Sequence, residues 1–274
     1  MSRALGVVRA VGTIAGLALT TAVLFPVQWV LLKRDSLRAG APPWWWHRAA
    51  VRLLDLRVET RGAPVPARPL LIVANHVSWL DIVVLGSLMP LSFVAKAEVA
   101  SWPVFGFLAR MQRTVFVDRT RRTATRGAAG DIAARLRRGD PMVLFAEGTS
   151  SNGGEVLPFR SALLGAARHA LTGDGLPAMV QPVSIVYTRR NGLPLGRRGR
   201  TAIAWYGDME IAGHLWGVLT DGAIDAVVSF GEPIAFGPDS DRKRVTAAAE
   251  EAVRAMTAAV LAGRPQPAVA VPGR

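Results

Sequence analysis

The stretch Pro69-Leu-Leu-Ile-Val-Ala-Asn75-His76-Val-Ser-Trp-Leu-Asp81 decides the predicted fold, because an apolar run changes into a polar turn within it. Residues 69–74 are short and β-branched enough for a buried strand, and the apolar segment 82–88 suits a helix. His76 is therefore predicted to lie in the turn between the end of a strand and the start of a helix. In α/β proteins, side chains at such a strand end face a crevice and are held by a rigid scaffold.

The spacing of His76 and Asp81 is typical of a general base and its orienting group. An aspartate five residues on can accept a hydrogen bond from the far ring nitrogen, which fixes the tautomer and raises the basicity of the near nitrogen. In the alternative interpretation Asn75 or Ser78 caps the helix and Asp81 is a surface charge. These residues alone leave both interpretations open.

Length and composition indicate one large α/β domain with an N-terminal attachment. The chain has 274 residues and no composition break near its middle. Half of its residues are hydrophobic and its mean hydropathy is +0.27, which indicates apolar surface kept for a membrane. The absence of cysteine excludes disulfides, thiolate zinc sites and cysteine nucleophiles. The four histidines form no H-x-x-x-H pair, so we predict neither a metal site nor a cofactor.

The formal net charge of +13 predicts an anionic partner. Lipid headgroups, phosphate, an acidic carrier protein and nucleic acid all fit this charge, and charge alone does not choose among them. An arginine-rich composition also accounts for part of the excess.

The N-terminal region is predicted to attach the chain to a membrane. Residues 10–32 carry no charge, and as a helix they would extend about 34 Å, enough to cross the hydrocarbon core. Pro26 and Gln28 weaken the last third, so the segment spans the bilayer or lies in its interface as a bent hairpin. The run Trp44-Trp45-Trp46 is predicted to contact the headgroup layer, with packing against the domain as the alternative.

Alternating strand and helix patterns predict an α/β fold: a single domain with a mixed central sheet flanked by helices, preceded by an N-terminal membrane-attached helical segment. We assign residues 1–40 to the membrane segment, 41–262 to the main domain and 263–274 to a disordered tail. The predicted strands are 69–74, 91–95, 114–117, 141–146, 179–187, 201–206 and 225–231. The predicted later helices are 123–138, 159–171 and 243–262.

Three further stretches join an apolar strand to polar residues at its end. Arg113-Thr-Val-Phe-Val-Asp-Arg119 delivers Arg119, which can bind an anion bidentately, although a surface ion pair is the alternative. Met142-Val-Leu-Phe-Ala-Glu147-Gly148-Thr149 ends in a carboxylate and a glycine that lets the backbone approach a ligand. In Val180-Gln-Pro182-Val-Ser-Ile-Val-Tyr187 the proline predicts an edge strand or a bulge that lines a cleft.

Taken in order, H-x4-D, F-V-D-R, F-x-E-G-T and the Q-P-V strand resemble the four blocks of the glycerolipid acyltransferase family typified by 1-acyl-glycerol-3-phosphate acyltransferase. The resemblance covers about residues 70–187. It implies that His76 deprotonates an acceptor hydroxyl, which attacks the thioester of acyl-carrier protein or acyl-CoA, and that Asp81 orients His76. It also implies that Lys96 stabilises the tetrahedral oxyanion. Direct transfer agrees with the absence of a G-x-S-x-G nucleophile motif.

The third block departs from the family pattern at Ser150, where the family commonly has an arginine that helps to hold the acceptor's phosphate. Residues 145–167 and 204–208 resemble the branch that acylates lyso-ornithine lipid. Both lysophosphatidic acid and lyso-ornithine lipid therefore remain candidate acceptors. The resemblance implies that the acceptor is bound by Arg119, Glu147, Gly148, Thr149, Ser150 and Pro182.

We therefore expect an O-acyltransferase of membrane lipid biosynthesis, attached to the inner (cytoplasmic) membrane with its catalytic domain facing the cytoplasm. The expected partners are the acyl donor, the lysolipid acceptor and the membrane, without nucleic acid. The alternative is a non-catalytic, membrane-tethered basic module that binds anionic lipid or nucleic acid. The His76–Asp81 pair favours the enzyme, because a pure binder has no use for a base oriented by a carboxylate.

Overall fold

The computed structural model describes residues 2–118, 122–162, 164–165 and 178–264. Within them a mixed β-sheet carries helices on both faces, as predicted. The strands are β1 (Leu56–Arg61), β2 (Leu70–Ala74), β3 (Ser92–Lys96), β4 (Val115–Val117), β5 (Met142–Phe145), β6 (Ala178–Arg190), β7 (Leu193–Pro194), β8 (Ile224–Phe230) and β9 (Ile234–Phe236). The sheet order is β1-β8-β6-β2-β5-β3-β4, with β7 and β9 also paired to β6.

The described helices flank this sheet. They are α1 (Arg3–Lys33), α2 (Ala41–Leu53), α3 (Leu80–Leu88), α4 (Phe105–Met111), α5 (Arg122–Arg137), α6 (Arg197–Ile203), α7 (Ile211–Asp221) and α8 (Arg242–Leu261), with 3-10 turns at Leu37–Gly40 and Ala97–Ser101. The predicted helices at 123–138 and 243–262 are confirmed within one residue. Of the predicted helix 159–171, residues 161–162 and 164–165 are helical, and 163 and 166–171 lie outside the described residues.

Strand β2 forms the centre of the sheet and positions the site that follows it. It pairs in parallel with β5 on one side and with β6 on the other, so all five of its residues are buried. Leu70, Ile72 and Ala74 join the core under α2, α3 and α7, whereas Leu71 and Val73 join the core under α5 and α8. This alternation is the two-residue period of a strand with helices on both faces.

One predicted strand is wrong, and three described strands, β1, β7 and β9, were not predicted. Residues 201–206 do not form a strand, because α6 continues to Ile203 and Ala204 donates its N–H to the carbonyl of Arg200. A short apolar run is compatible with either structure, and here the arginine-rich stretch before it begins a helix. Strand β1 was not predicted, because it is an edge strand paired only with β8 and most of its residues are partly or fully exposed.

The prediction that Pro182 marks an edge strand or a bulge is also wrong, because β6 lies inside the sheet between β2 and β8. The antiparallel partner of β6 changes at this point, from β9 opposite Val180 to β8 opposite Val183. Pro182 falls in the gap, where its missing N–H costs no antiparallel ladder bond, and its carbonyl accepts the N–H of Gly231.

Helix α1 is one continuous helix through Pro26, so the bent-hairpin form does not occur. It packs along α2 and α7, where the Arg9 guanidinium donates to the carbonyls of Leu219 and Leu54. It is long and apolar enough to cross a membrane, and only 11% of its apolar window is buried. Of the predicted tail 263–274, Gly263 and Arg264 are described and 265–274 lie outside the described residues.

The three consecutive tryptophans lie on α2 and mostly pack against the domain. The indole of Trp44 donates to the carbonyl of Ser87, and that of Trp46 donates to the hydroxyl of Thr21. Only Trp45 of the three is exposed. Trp45 is therefore the tryptophan most accessible for the predicted headgroup contact, and the alternative of packing against the domain describes Trp44 and Trp46.

Candidate active site

The turn between β2 and α3 is built around the side chain of Asp81. Its Oδ2 accepts the backbone N–H groups of Val77 at 2.7 Å and Ser78 at 3.0 Å. These are donors at the N-terminus of α3, where a carboxylate is favoured by the helix dipole and by the unpaired N–H groups. Asp81 is completely buried. The alternative in which Asp81 is a surface charge is therefore wrong.

The same oxygen of Asp81 lies 2.8 Å from Nδ1 of His76, so the predicted pair is hydrogen-bonded. The imidazole also stacks on Phe145, with ring centroids 4.0 Å apart and planes 16° apart. The bond at Nδ1 fixes the ring, and Nε2 is then the nitrogen that can exchange a proton with a substrate. The His76 side chain is 18% exposed.

Strand β6 supplies two contacts to this turn that the sequence analysis did not identify. The Tyr187 hydroxyl donates to Oδ1 of Asp81 at 2.7 Å, and the Asn75 amide exchanges two hydrogen bonds with the backbone of Ile185, at 3.0 and 2.8 Å. Asn75 thus continues the β2–β6 pairing instead of capping α3. The sequence signal for Tyr187 was only its place at the end of the Q-P-V strand.

A cavity of about 1430 Å³ opens in front of His76. One part of its wall is apolar and comes from α1, α2, α3 and α4, including Leu17, Phe25, Trp46, Val83 and Phe107. Of the residues predicted for the site, the cavity wall includes His76, Lys96, Gly148, Thr149 and Ser150. The ends of β2, β3 and β5, which are parallel neighbours, bring these residues to one edge of the sheet.

Glu147 and Pro182 are not part of the cavity wall. The Glu147 side chain turns into the protein and is 1% exposed, while Gly148 continues the chain at a φ of 75° that favours glycine. Neither carboxylate oxygen makes a hydrogen bond of good geometry within the described residues. Burial raises the pKa of Glu147 to about 8, although backbone groups of His76 and Leu157 lie near enough to lower it in part.

The charged side chains of the described cavity wall are Lys96 and three exposed carboxylates. The carboxylates are Glu98, Asp208 and Glu210, and the structure shows no ion pair to them within the described residues. Arg119, which was predicted to bind the acceptor, lies outside the described residues. The described part of the chain contains no group of three or more His, Asp or Glu side chains that could hold a metal ion.

Comparison with known proteins identifies similar chains. Residues 57–186 match the family model described as acyltransferase. The chain is 45% identical over 264 residues to a lyso-ornithine lipid O-acyltransferase of Brucella abortus, covering 96% of this chain and 99% of that protein. It is 32% identical over 213 residues to a 1-acyl-sn-glycerol-3-phosphate acyltransferase of Neisseria gonorrhoeae, covering 77% and 78%.

A solved structure has the same fold. The crystal structure of the 1-acyl-sn-glycerophosphate acyltransferase PlsC from Thermotoga maritima superposes with a TM-score of 0.63 at 22% identity. The match covers 97% of this chain and all of that one. At this identity the likeness establishes the overall fold.

Proposed function

This chain belongs to the acyltransferase family and is an O-acyltransferase, and we propose that it moves a fatty acyl group from an acyl thioester to the hydroxyl of lyso-ornithine lipid. The observation that carries this proposal is the hydrogen bond of 2.8 Å between His76 and the buried Asp81, at the wall of a large apolar cavity. A base held in one orientation and a space for lipid chains are the two requirements of direct acyl transfer.

The proposed reaction begins when Nε2 of His76 takes the proton of the acceptor hydroxyl. The hydroxyl oxygen attacks the thioester carbonyl carbon, and the tetrahedral intermediate carries its negative charge on the former carbonyl oxygen. Lys96 at the cavity wall is the cation assigned to this oxygen. Collapse of the intermediate breaks the carbon–sulfur bond, and the leaving thiolate takes the proton back from His76. The products are an ester and a thiol.

Asp81 supports both proton transfers. Its negative charge stabilises the imidazolium that forms during attack, and its hydrogen bond keeps Nδ1 protonated, so that Nε2 begins the cycle without a proton. The apolar part of the cavity is assigned to the fatty chains. Its volume of about 1430 Å³ exceeds the roughly 300–1,000 Å³ of ordinary small-molecule pockets, which suits a donor chain beside an acceptor chain. The proposed donor is the acyl thioester of either acyl-carrier protein or CoA.

Three features support lyso-ornithine lipid over lysophosphatidic acid as the acceptor. The relatives with the highest identity among those compared, at 45% and 43%, are named for lyso-ornithine lipid. Ser150 lines the cavity where the family usually has an arginine for phosphate. The exposed Glu98, Asp208 and Glu210 line the same cavity, and carboxylates repel a phosphate dianion but attract the ammonium of a zwitterionic headgroup.

We assign the protein to the inner (cytoplasmic) membrane, with its catalytic domain facing the cytoplasm. Helix α1 exposes a row of apolar side chains that includes Val8, Leu19 and Val23, each more than 60% exposed. Such a face, next to a cavity that takes lipid chains, is suited to contact with the acyl layer of a membrane. Flotation with vesicles tests this, because Leu19→Asp with Val23→Asp should weaken binding and Leu193→Asp, at an exposed position on β7, should not.

The experiment that tests the reaction supplies the purified protein with acyl-carrier thioester or acyl-CoA and with each of the two lysolipids, and identifies the products by mass. We expect an added acyl group on lyso-ornithine lipid together with release of free thiol. Absence of any acylated lipid with either donor would contradict the proposed reaction. Product from lysophosphatidic acid alone would contradict only the acceptor.

A further inference from the structure

Asp81 divides its hydrogen bonds unequally between its two oxygens. Oδ2 accepts from Val77 and Ser78 and faces His76, whereas Oδ1, within the described part of the chain, accepts from the hydroxyl of Tyr187 alone, at 2.7 Å. The aspartate is completely buried, so water does not replace a missing donor. An ionised carboxylate oxygen left without a donor in such a place is expensive.

Tyr187 is well suited to supply this bond permanently. It is 2% exposed, in the core that covers this face of the sheet. Burial, with the neighbouring charge of Asp81 as a smaller cause, raises the pKa of the Tyr187 phenol well above its ordinary value. The hydroxyl is therefore a donor over the whole working range of pH. A phenylalanine would fill the same space without the donor.

The position of Tyr187 ties the catalytic turn to a strand that is distant in sequence. Pairing of β2 with β6 ends at Ala74 opposite Val183. Beyond that point the backbone of Ile185 hydrogen-bonds the side chain of Asn75, and the hydroxyl of Tyr187 hydrogen-bonds Asp81. Strand β6 therefore contacts the turn on both sides of His76. Residues 185 and 187 are two apart and lie on the same face of the strand.

We propose that Tyr187 is a positioning residue for the acyl transfer, which holds Asp81 in the one orientation that keeps Oδ2 on His76. The inference rests on the proposed function, in which His76 is the base. Tyr187 does not touch the cavity and acts only through Asp81. The hydrogen bond from Tyr187 also draws negative charge toward Oδ1 of Asp81. The carboxylate therefore stabilises the imidazolium of His76 less than it would without this bond.

The test is Tyr187→Phe, with Thr257→Val as the matched control. Thr257, on α8, makes a buried hydroxyl–hydroxyl hydrogen bond of 2.7 Å to Ser184 of β6. Thr257 is not among the described hydrogen-bond partners of Asp81. In Tyr187→Phe we expect kcat to fall roughly tenfold or more, as for loss of a hydrogen bond to a charged group, with little change in KM. We expect Thr257→Val to keep the native kcat.

The pH–rate profile separates positioning from a merely structural role. With one donor fewer on Asp81, the imidazolium of His76 is more stable, so the acid limb of the profile should move to higher pH in Tyr187→Phe. The titratable groups that face Asp81 are His76, Tyr187 and Glu147. Since the pKa of Glu147 is about 8, the acid limb is read below that pH. An unchanged profile, or equal losses of kcat in both variants, would overturn the proposal.

Nuclear magnetic resonance of the His76 ring makes the test independent of turnover. The native ring should show a protonated Nδ1, and in Tyr187→Phe its titration should move to higher pH, whereas in Thr257→Val it should not. If the native protein acylates no lipid, the proposed function fails, and this measurement still decides the role of Tyr187. An identical titration in native protein and Tyr187→Phe would refute the inference even in an active enzyme.

Discussion

The two sides of His76 are built differently. Behind the ring, Asp81 and Asn75 are buried and their side chains are bonded to a turn and to a strand. In front of the ring, Lys96 and Asp208 project from the cavity wall and are exposed.

The difference separates the chemistry from the choice of substrate. A buried, bonded group is fixed by the whole fold, so its removal leaves partners unsatisfied and has a large effect. An exposed charge is screened by water and contributes little by itself. We therefore expect changes behind His76 to alter the rate for every substrate. Apart from Lys96, which is assigned to the oxyanion and so serves every substrate, changes to the exposed groups in front of His76 should alter only the preference between substrates, and by smaller factors.

The largest effect is expected from His76→Ala. Loss of a general base lowers the rate by about two to four powers of ten, and the loss should be equal for both lysolipids because the base serves either hydroxyl. The measurement is kcat/KM for each acceptor by product mass.

Thermal unfolding supplies the control for His76→Ala. The midpoint should change little, because the imidazole is partly exposed and Asp81 keeps its other three donors. Near-native turnover by a folded His76→Ala protein would rule out the base. A loss of activity confined to one acceptor would show that His76 contributes to the choice of acceptor and is not the general base.

Glu147 tests what burial without hydrogen bonds does on the buried side of the site. It is as buried as Asp81, but within the described residues it lacks well-aligned donors. Burial raises its pKa from an ordinary value of 4.5 to about 8 in the folded protein. Between these values the unfolded chain loses the proton and the folded one keeps it. The free energy of unfolding therefore falls as pH rises from about 4.5 to 8, by roughly 4 kcal/mol, and levels off beyond. Glu147→Gln should remove this decline.

Urea unfolding at pH 5 and pH 8 measures the difference in native protein, in Glu147→Gln and in Glu251→Gln. Glu251 is exposed on α8, so its substitution should leave the native decline in place. Persistence of the full decline in Glu147→Gln would show that another group causes it.

The part of the site that could be predicted from sequence is the part made within a few residues. His76 and Asp81 are five positions apart, so the local pattern made their contact one of two interpretations, and the resemblance to the acyltransferase family favoured it. Tyr187 comes 106 residues after Asp81, and its contact depends on β6 lying beside β2, which no local pattern specifies. The role of Asn75 as a helix cap stayed open as an alternative for the same reason, since its true partner, Ile185, is 110 residues away.

The fold shows the same limit. Buried strands such as β2 and β5 were predicted because the helices on both faces demand continuous apolar runs. Strand β1 is at the sheet edge and its polar residues carry no such signal. Glu147 was predicted to meet the acceptor because it follows a buried strand, yet the turn at Gly148 directs Thr149 and Ser150, not Glu147, to the cavity. Which side of a turn faces a ligand depends on backbone geometry that residue types do not specify.

The smallest effect concerns Ser150, on the open side. An arginine there would give a phosphate a charge-assisted pair, whereas serine offers one neutral hydrogen bond, a difference on the order of 1–2 kcal/mol or roughly tenfold in preference. We expect native protein to acylate lyso-ornithine lipid at least as efficiently as lysophosphatidic acid, and Ser150→Arg to shift the ratio of their specificity constants toward lysophosphatidic acid.

Ser150→Gln is the matched control, because it adds length and hydrogen-bonding capacity without charge. If charge decides the preference, Gln should leave the ratio near its native value while Arg changes it, and added salt should reduce the change, since a pair at a partly open site is screened. Equal shifts in both variants would mean that the size of residue 150 selects the headgroup. A native preference for lysophosphatidic acid that Ser150→Arg leaves unaltered would refute the acceptor assignment. The role proposed for His76 would be unaffected, because that outcome concerns only the selection of the headgroup at the cavity wall.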